Sequence, residues 1–138
     1  MQFPTTLFTL GAFLTTVFAI TVSYDPGYDQ GSRSLSSVEC SDGSNGLLTK
    51  GYTTQDSLPS FPYIGGAFTI EGWNSASCGK CYSLTWNGTS INVLAIDHVD
   101  TGFNVALAAM DKLTDNQSVH LGRIDAAWME VPASRCGL

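Results

Sequence analysis

The chain is short of positive charge. Its 138 residues hold six Lys and Arg against twelve Asp and Glu, a formal net charge of -6, and the acids are scattered rather than clustered. A surface with so few cations has no electrostatic footprint for a phosphate backbone, which excludes nucleic acid as a natural partner. Anionic membranes are excluded on the same ground. There is no long hydrophobic run: residues 2–20 carry no charge, but the apolar part, residues 7–20, falls short of the roughly 20 residues a bilayer span needs. No internal repeat, linker or low-complexity stretch is present, so one domain is the expectation. There is also no second C-x-x-C and no paired His beside Cys78-Gly79-Lys80-Cys81, which argues against zinc. The lack of a β-α-β context argues against a redox motif.

What is present points to secretion. The uncharged apolar run ends at Val17-Phe18-Ala19 and is followed by the polar turn Tyr24-Asp25-Pro26-Gly27. Residues 1–19 are therefore expected to be a secretory signal peptide, although the run lacks a leading Lys or Arg, and residues 20–138 the folded domain. A membrane anchor is the alternative, and after cleavage no membrane association is expected. All four cysteines, Cys40, Cys78, Cys81 and Cys136, lie in residues 20–138. An even count in a secreted chain implies two disulfides, with three pairings open. Pairing Cys40 with Cys78 and Cys81 with Cys136 would close loops of about 40 and about 55 residues, each worth about 4 kcal/mol in the chain-entropy account.

Turn signals recur along the domain at Asp42-Gly43, Asn45-Gly46, Gly65-Gly66, Asn87-Gly88 and Thr101-Gly102. Between them lie short β-type runs at 21–24, 35–39, 82–86, 90–96 and 123–131. Asn87-Gly88-Thr89 reads as a hairpin connection. Residues 91–96 are apolar on nearly both faces and read as a central strand. Phe103, Ala106, Leu107, Met110 and Leu113 fall at helical spacing, with Asn104 or Gly102 as the cap. A second short helix is expected at 55–58, stopped by Pro59. Short strands with one or two helices describe a mainly β chain, a small barrel with helical crossovers. Two sequons, at Asn87 and Asn116, are candidates for N-glycosylation.

The blocks Val22-Ser23-Tyr24-Asp25-Pro26, Cys40-Ser41-Asp42-Gly43, Asn45-Gly46-Leu47, Phe61-Pro62, Ile64-Gly65-Gly66, Gly72-Trp73-Asn74-Ser75 and Ser77-Cys78-Gly79-Lys80-Cys81-Tyr82 follow one another in order. Ile91-Asn92-Val93-Leu94-Ala95-Ile96-Asp97, Gly102-Phe103-Asn104, Gly122-Arg123-Ile124-Asp125 and Cys136 complete the series. In order and spacing the chain resembles a fungal cerato-platanin over essentially all of residues 20–138. The resemblance implies a six-stranded double-ψ β-barrel with two disulfides, the first cysteine pairing with the second and the third with the fourth. It implies an extracellular or fungal cell-wall location and no metal or organic cofactor. It implies binding of chitin-type (N-acetylglucosamine) oligosaccharides and other cell-wall polysaccharides, expansin-like loosening without hydrolysis, self-assembly at interfaces, and elicitation of plant defence, with a plant immune receptor as a partner.

The carbohydrate-binding candidates begin with Asp97, at the end of the central strand and at the position where the family carries an aspartate associated with sugar binding. Its carboxylate can take charge-assisted hydrogen bonds from sugar hydroxyls; capping of a loop is its alternative role. Tyr24, Asp25, Tyr28, Asp42, Gly43, Asn45 and Gly46 form the other polar blocks, which turn chemistry alone would also explain. His98 and Asp125 complete the set. No catalytic residue is expected. Inverting hydrolysis would need a second carboxyl group about 6.5–9.5 Å from the first, from Asp42, Asp100 or Asp125. Trp73, Trp86 and Trp128 offer faces that can stack on sugars, but Trp73 is expected to be buried or partly buried, and Trp128 to face either way. Competing readings are a surface-active wall protein, a weak glycoside hydrolase and a protease inhibitor.

Overall fold

The hairpin at Asn87-Gly88 is the most local feature of the chain, and it forms as its residues dictate. Asn87 (φ 46°) and Gly88 (φ 80°) both take the left-handed conformation that matches the twist of the flanking strands. They join β3 (Cys81–Trp86) to β4 (Thr89–His98), paired from Trp86 opposite Thr89 to Cys81 opposite Leu94. The structure is a computed structural model that describes residues 18–138. Residues 1–17 of the expected signal peptide therefore lie outside the described residues, and only Phe18 and Ala19 of it fall within them. Among the described residues no helix is long and apolar enough to cross a membrane.

The other strands are β1 (Ala19–Tyr24), β2 (Ile64–Ala67), β5 (Phe103–Val105) and β6 (Arg123–Val131). They close in the order β1-β5-β2-β4-β3-β6, with β6 antiparallel to β1. Two helices follow β5: α1 (Leu107–Thr114) and the single turn α2 (Ser118–Leu121). The six-stranded barrel and the Cys40–Cys78 and Cys81–Cys136 bonds are those the resemblance implied, and short helices accompany the strands as the spacing suggested. Both faces of the barrel wall are covered: Val22, Leu84 and Phe103 lie on one face and Ile64, Leu94 and Ile96 on the other, all nearly or fully buried. Tyr82 and Phe103 meet at 5.2 Å between ring centroids, and Trp128 packs on Phe68 edge-on at 5.2 Å.

Four local expectations are corrected. Gly65-Gly66 is a strand, β2, not a turn. Gly65 lets β2 lie against β5, because a Cβ there would strike the Asn104 carbonyl oxygen and stand 2.7 Å from Val105 Cα, while a Cβ on Gly66 would stand 2.6 Å from Val99 Cγ1. The helical stripe begins later than its spacing suggested: Phe103 and Val105 are buried while Asn104 between them is not, the period of two of a strand. Helix α1 then starts at Leu107, with Ala109, Met110 and Leu113 buried. Residues 35–39 form a 3₁₀ turn (Leu35–Ser37), not a strand, because the Ser36 amide donates to Ser34 Oγ at 3.1 Å. Residues 55–58 likewise give only a 3₁₀ turn, Gln55–Ser57, whose buried Gln55 Nε2 donates to the carbonyls of Gly27 (3.0 Å) and Gln30 (2.8 Å).

Candidate functional site

Strand β4 delivers its last two residues, Asp97 and His98, to the end of the barrel, and both serve as anchors. Asp97 Oδ1 accepts from the Glu39 amide (3.0 Å) and from the His98 amide (3.0 Å), and Oδ2 accepts from the Tyr28 hydroxyl (2.8 Å). His98 Nδ1 lies 2.6 Å from the Ile70 carbonyl oxygen and Nε2 lies 3.0 Å from Asp100 Oδ1. The loop around Cys40 is thus tied to Asp97, and the loop leading to Trp73 is tied to His98. The Cys40 amide adds a bond to the Ile96 carbonyl at 3.2 Å.

Beyond these anchors the two loops run on and meet. The Trp73 indole Nε1 donates to Asp42 Oδ1 at 2.7 Å. The Asn45 amide donates to Asn74 Oδ1 at 2.9 Å, and Asn45 Nδ2 to the Asn74 carbonyl at 3.0 Å. Gly43 (φ 80°) passes beneath the indole, where a Cβ would stand 2.7 Å from Asn74 Oδ1 and 3.1 Å from Trp73 Cζ2. Gly46 has no room for a Cβ against the carbonyl oxygens of Ser41 and Asp42. The Cys40–Cys78 bond ties the two loops together. Asp42 lies three positions after Glu39, so the chain can carry it no more than about 11 Å from the amide that Asp97 holds.

Trp73 is the residue the sequence reading misplaced. It is 59% exposed rather than packed. The turn that presents it rests on Asn74, a left-handed residue (φ 58°) whose side chain caps the facing loop. The motif Gly72-Trp73-Asn74 held that signal, since Gly and Asn flanking an aromatic residue mark a turn rather than a core strand.

The other candidates separate. Asp42, Gly43, Asn45 and Gly46 belong to the loop pair, while Tyr28, Asp97 and His98 belong to the anchors. Tyr24 ends β1 opposite Val105, and Asp25 Oδ1 accepts the Gly27 amide at 2.8 Å. That is turn chemistry, and it leads into the 3₁₀ turn Pro26–Asp29 that sets Tyr28 beneath Asp97. Asp125 lies exposed on β6 opposite Thr21, and none of the hydrogen bonds above reaches it. Asn87 and Asn116 are exposed at turns, in line with sequons open to modification.

Electrostatics distinguishes the two anchors. Burial raises the Tyr28 hydroxyl far above its ordinary range, and the charge of Asp97 and the hydrogen bond to it push the same way. Tyr28 is therefore a fixed donor at any physiological pH. The hydrogen bond to the Ile70 carbonyl, and then Asp100, raise the His98 imidazole above 6.5. Among the described residues no group of His, Cys, Asp and Glu is arranged to hold a metal ion.

A disulfide-stapled barrel of six strands, with a platform built from two loops at one end and an exposed indole on it, defines a small β-barrel protein with a surface site. The chain belongs to the cerato-platanin family, whose profile matches residues 20–138. It is 52% identical over 117 residues to the heat-stable 19 kDa antigen of Coccidioides immitis (85% of this chain, 80% of the relative). Cerato-platanin 3 of M. perniciosa superposes with a TM-score of 0.85 at 50% identity, covering 88% of this chain and 100% of that one. The fungal elicitor cerato-platanin gives a TM-score of 0.77 at 40% identity, over 85% and 96% of the two chains.

Proposed function

We propose that the protein is a secreted, non-catalytic carbohydrate-binding protein that takes N-acetylglucosamine oligomers on the platform of Trp73, Asp42 and Asn45. The observation that carries this reading is the exposed indole pinned to Asp42 over Gly43. An aromatic face held rigid beside hydrogen-bonding groups suits a sugar ring, which offers an apolar C–H face and a rim of hydroxyls. In this reading Asp97 is chiefly a positioning residue. A carboxylate offers about four acceptor sites, and three donors already use Asp97. That arrangement is poorly suited to a general acid or base, which must be free to exchange a proton with the reacting bond. Elicitor behaviour is proposed from kinship with the fungal elicitor cerato-platanin, and a cell-wall location follows from the proposed ligand.

The test is a titration of residues 20–138 with N-acetylglucosamine oligomers, followed by amide NMR shifts and tryptophan fluorescence. Saturable shifts centred on Trp73, Asp42 and Asn45 are expected. Trp73→Ala should weaken binding severalfold, up to about tenfold, since a stacked aromatic contact is worth about 0.5–1.5 kcal/mol. Shifts confined to other parts of the barrel, or release of reducing ends on incubation, would overturn the reading.

A further inference from the structure

Four of the six Lys and Arg residues of this acidic chain line two open clefts on either side of residues 131–137. The smaller cleft, about 540 Å³, holds Lys50 and Lys80 and is half balanced, because Lys80 Nζ pairs with Glu130 at 3.1 Å. The larger, about 620 Å³, holds Lys112 and Arg135 with no Asp or Glu in its wall. Among the described residues neither of these cations forms a salt bridge. Twelve acids elsewhere on the chain make that concentration of unpaired positive charge a local exception.

The rest of the wall has its own chemistry. Phe61 and Tyr63 are half-buried in it, and Asn92 contributes an amide. Ser60 Oγ, in the same wall, is shut off from solvent without a hydrogen-bond partner, although buried hydroxyls are nearly always paired. Aromatic faces, amide and hydroxyl groups and two free cations in one open trough match a chain of sugar rings that carry carboxylates. An acidic peptide would satisfy the cations but offers no hydroxyl-rimmed rings to Phe61, Tyr63 and Asn92. Strand β4 separates this cleft from the platform: Asn92 stands near one end and Asp97 near the other, about 17 Å apart along the strand.

We propose that this cleft is a second glycan site, selective for oligomers of uronic acid, with Lys112 and Arg135 taking carboxylates and Phe61 and Tyr63 supporting the rings. It stands independently of the platform reading. The experiment titrates residues 20–138 at low salt with a galacturonate hexamer, its fully methyl-esterified counterpart and a hexaglutamate peptide, by calorimetry and NMR. Saturable binding of the hexamer alone is expected, with amide shifts at Ser60, Tyr63 and Asn92. Binding should weaken about tenfold in Lys112→Gln/Arg135→Gln, as expected for losing charge-assisted contacts, and stay unchanged in Asp97→Ala. Amide spectra of both variants check that they fold. Equal binding of the ester or the peptide, binding indifferent to the double variant, loss of binding in Asp97→Ala, or no binding at millimolar hexamer would each overturn the proposal.

Discussion

Single residues at the barrel end do two jobs that composition does not separate. Asp97 is legible in the sequence as a carboxylate at the end of an apolar strand, yet its partners are not, because Glu39 and Tyr28 come from distant segments. His98 has the sharper consequence. Its native pKa is raised above 6.5, so its protonated form contributes stability that is fully present below the unfolded value. That contribution is lost as pH rises through the higher native value. The loss should be partial, because a neutral ring protonated on Nδ1 still donates to the Ile70 carbonyl, more weakly than the charged ring, while the Asp100 contact is given up. An NMR titration of the His98 ring is expected to show a midpoint above 6.5. Asp100→Asn should lower it part of the way, since the Ile70 carbonyl is the larger cause. A midpoint at or below 6.5 would mean that the Ile70–His98 anchor does not form in solution.

At the scale of elements, what was legible was what the chain decides locally. The hairpin follows from Asn87-Gly88, and β6 coincides with the expected strand at 123–131. Strand β2 was hidden because its glycines, which read as a turn, are needed for close packing, Gly65 against β5 and Gly66 against Val99. Helix α1 was expected, and Met110 and Leu113 of its expected stripe are buried, but Leu107 is only half-buried and the start of the helix was misplaced. The residue at its N-cap, Ala106, offers no side-chain cap. The cap is supplied from 78 residues away: Asp29 Oδ2 accepts the Leu107 amide at 2.7 Å, and Oδ1 accepts the Ala108 amide at 2.9 Å. No periodicity within residues 103–113 could reveal it. A carboxylate on two free N–H groups at a helix N-terminus acts both as a cap and on the helix dipole. Asp29→Ala is expected to cost about 2 kcal/mol, measured as a lower urea midpoint with unchanged slope. Asp29→Asn should recover part of that, because its amide oxygen can still accept. An unaffected midpoint in Asp29→Ala would show that the cap is not made.

For the whole molecule, the two disulfides close loops of similar length, 38 and 55 residues in sequence separation. The chain-entropy account assigns each about 4 kcal/mol. Against a total stability of about 5–15 kcal/mol, either is a large share, and losing both should leave the chain unfolded. Their structural settings differ more than their loop lengths do. Cys81 sits in β3, and Cys136 lies just past β6, which is already hydrogen-bonded to β3. Cys40–Cys78 instead joins the two loops that carry Asp42 and Trp73, whose other ties named above are hydrogen bonds at the anchors and across the platform. Replacing either pair with alanines should therefore cost similar stability, about 4 kcal/mol by denaturant titration. Only Cys40→Ala/Cys78→Ala should change the Trp73 fluorescence of the folded protein. In Cys81→Ala/Cys136→Ala the indole should stay against Asp42, because nothing that holds it has been cut. Equal disturbance of Trp73 in both variants would mean that the loops take their order from the barrel as a whole rather than from the bond that ties them.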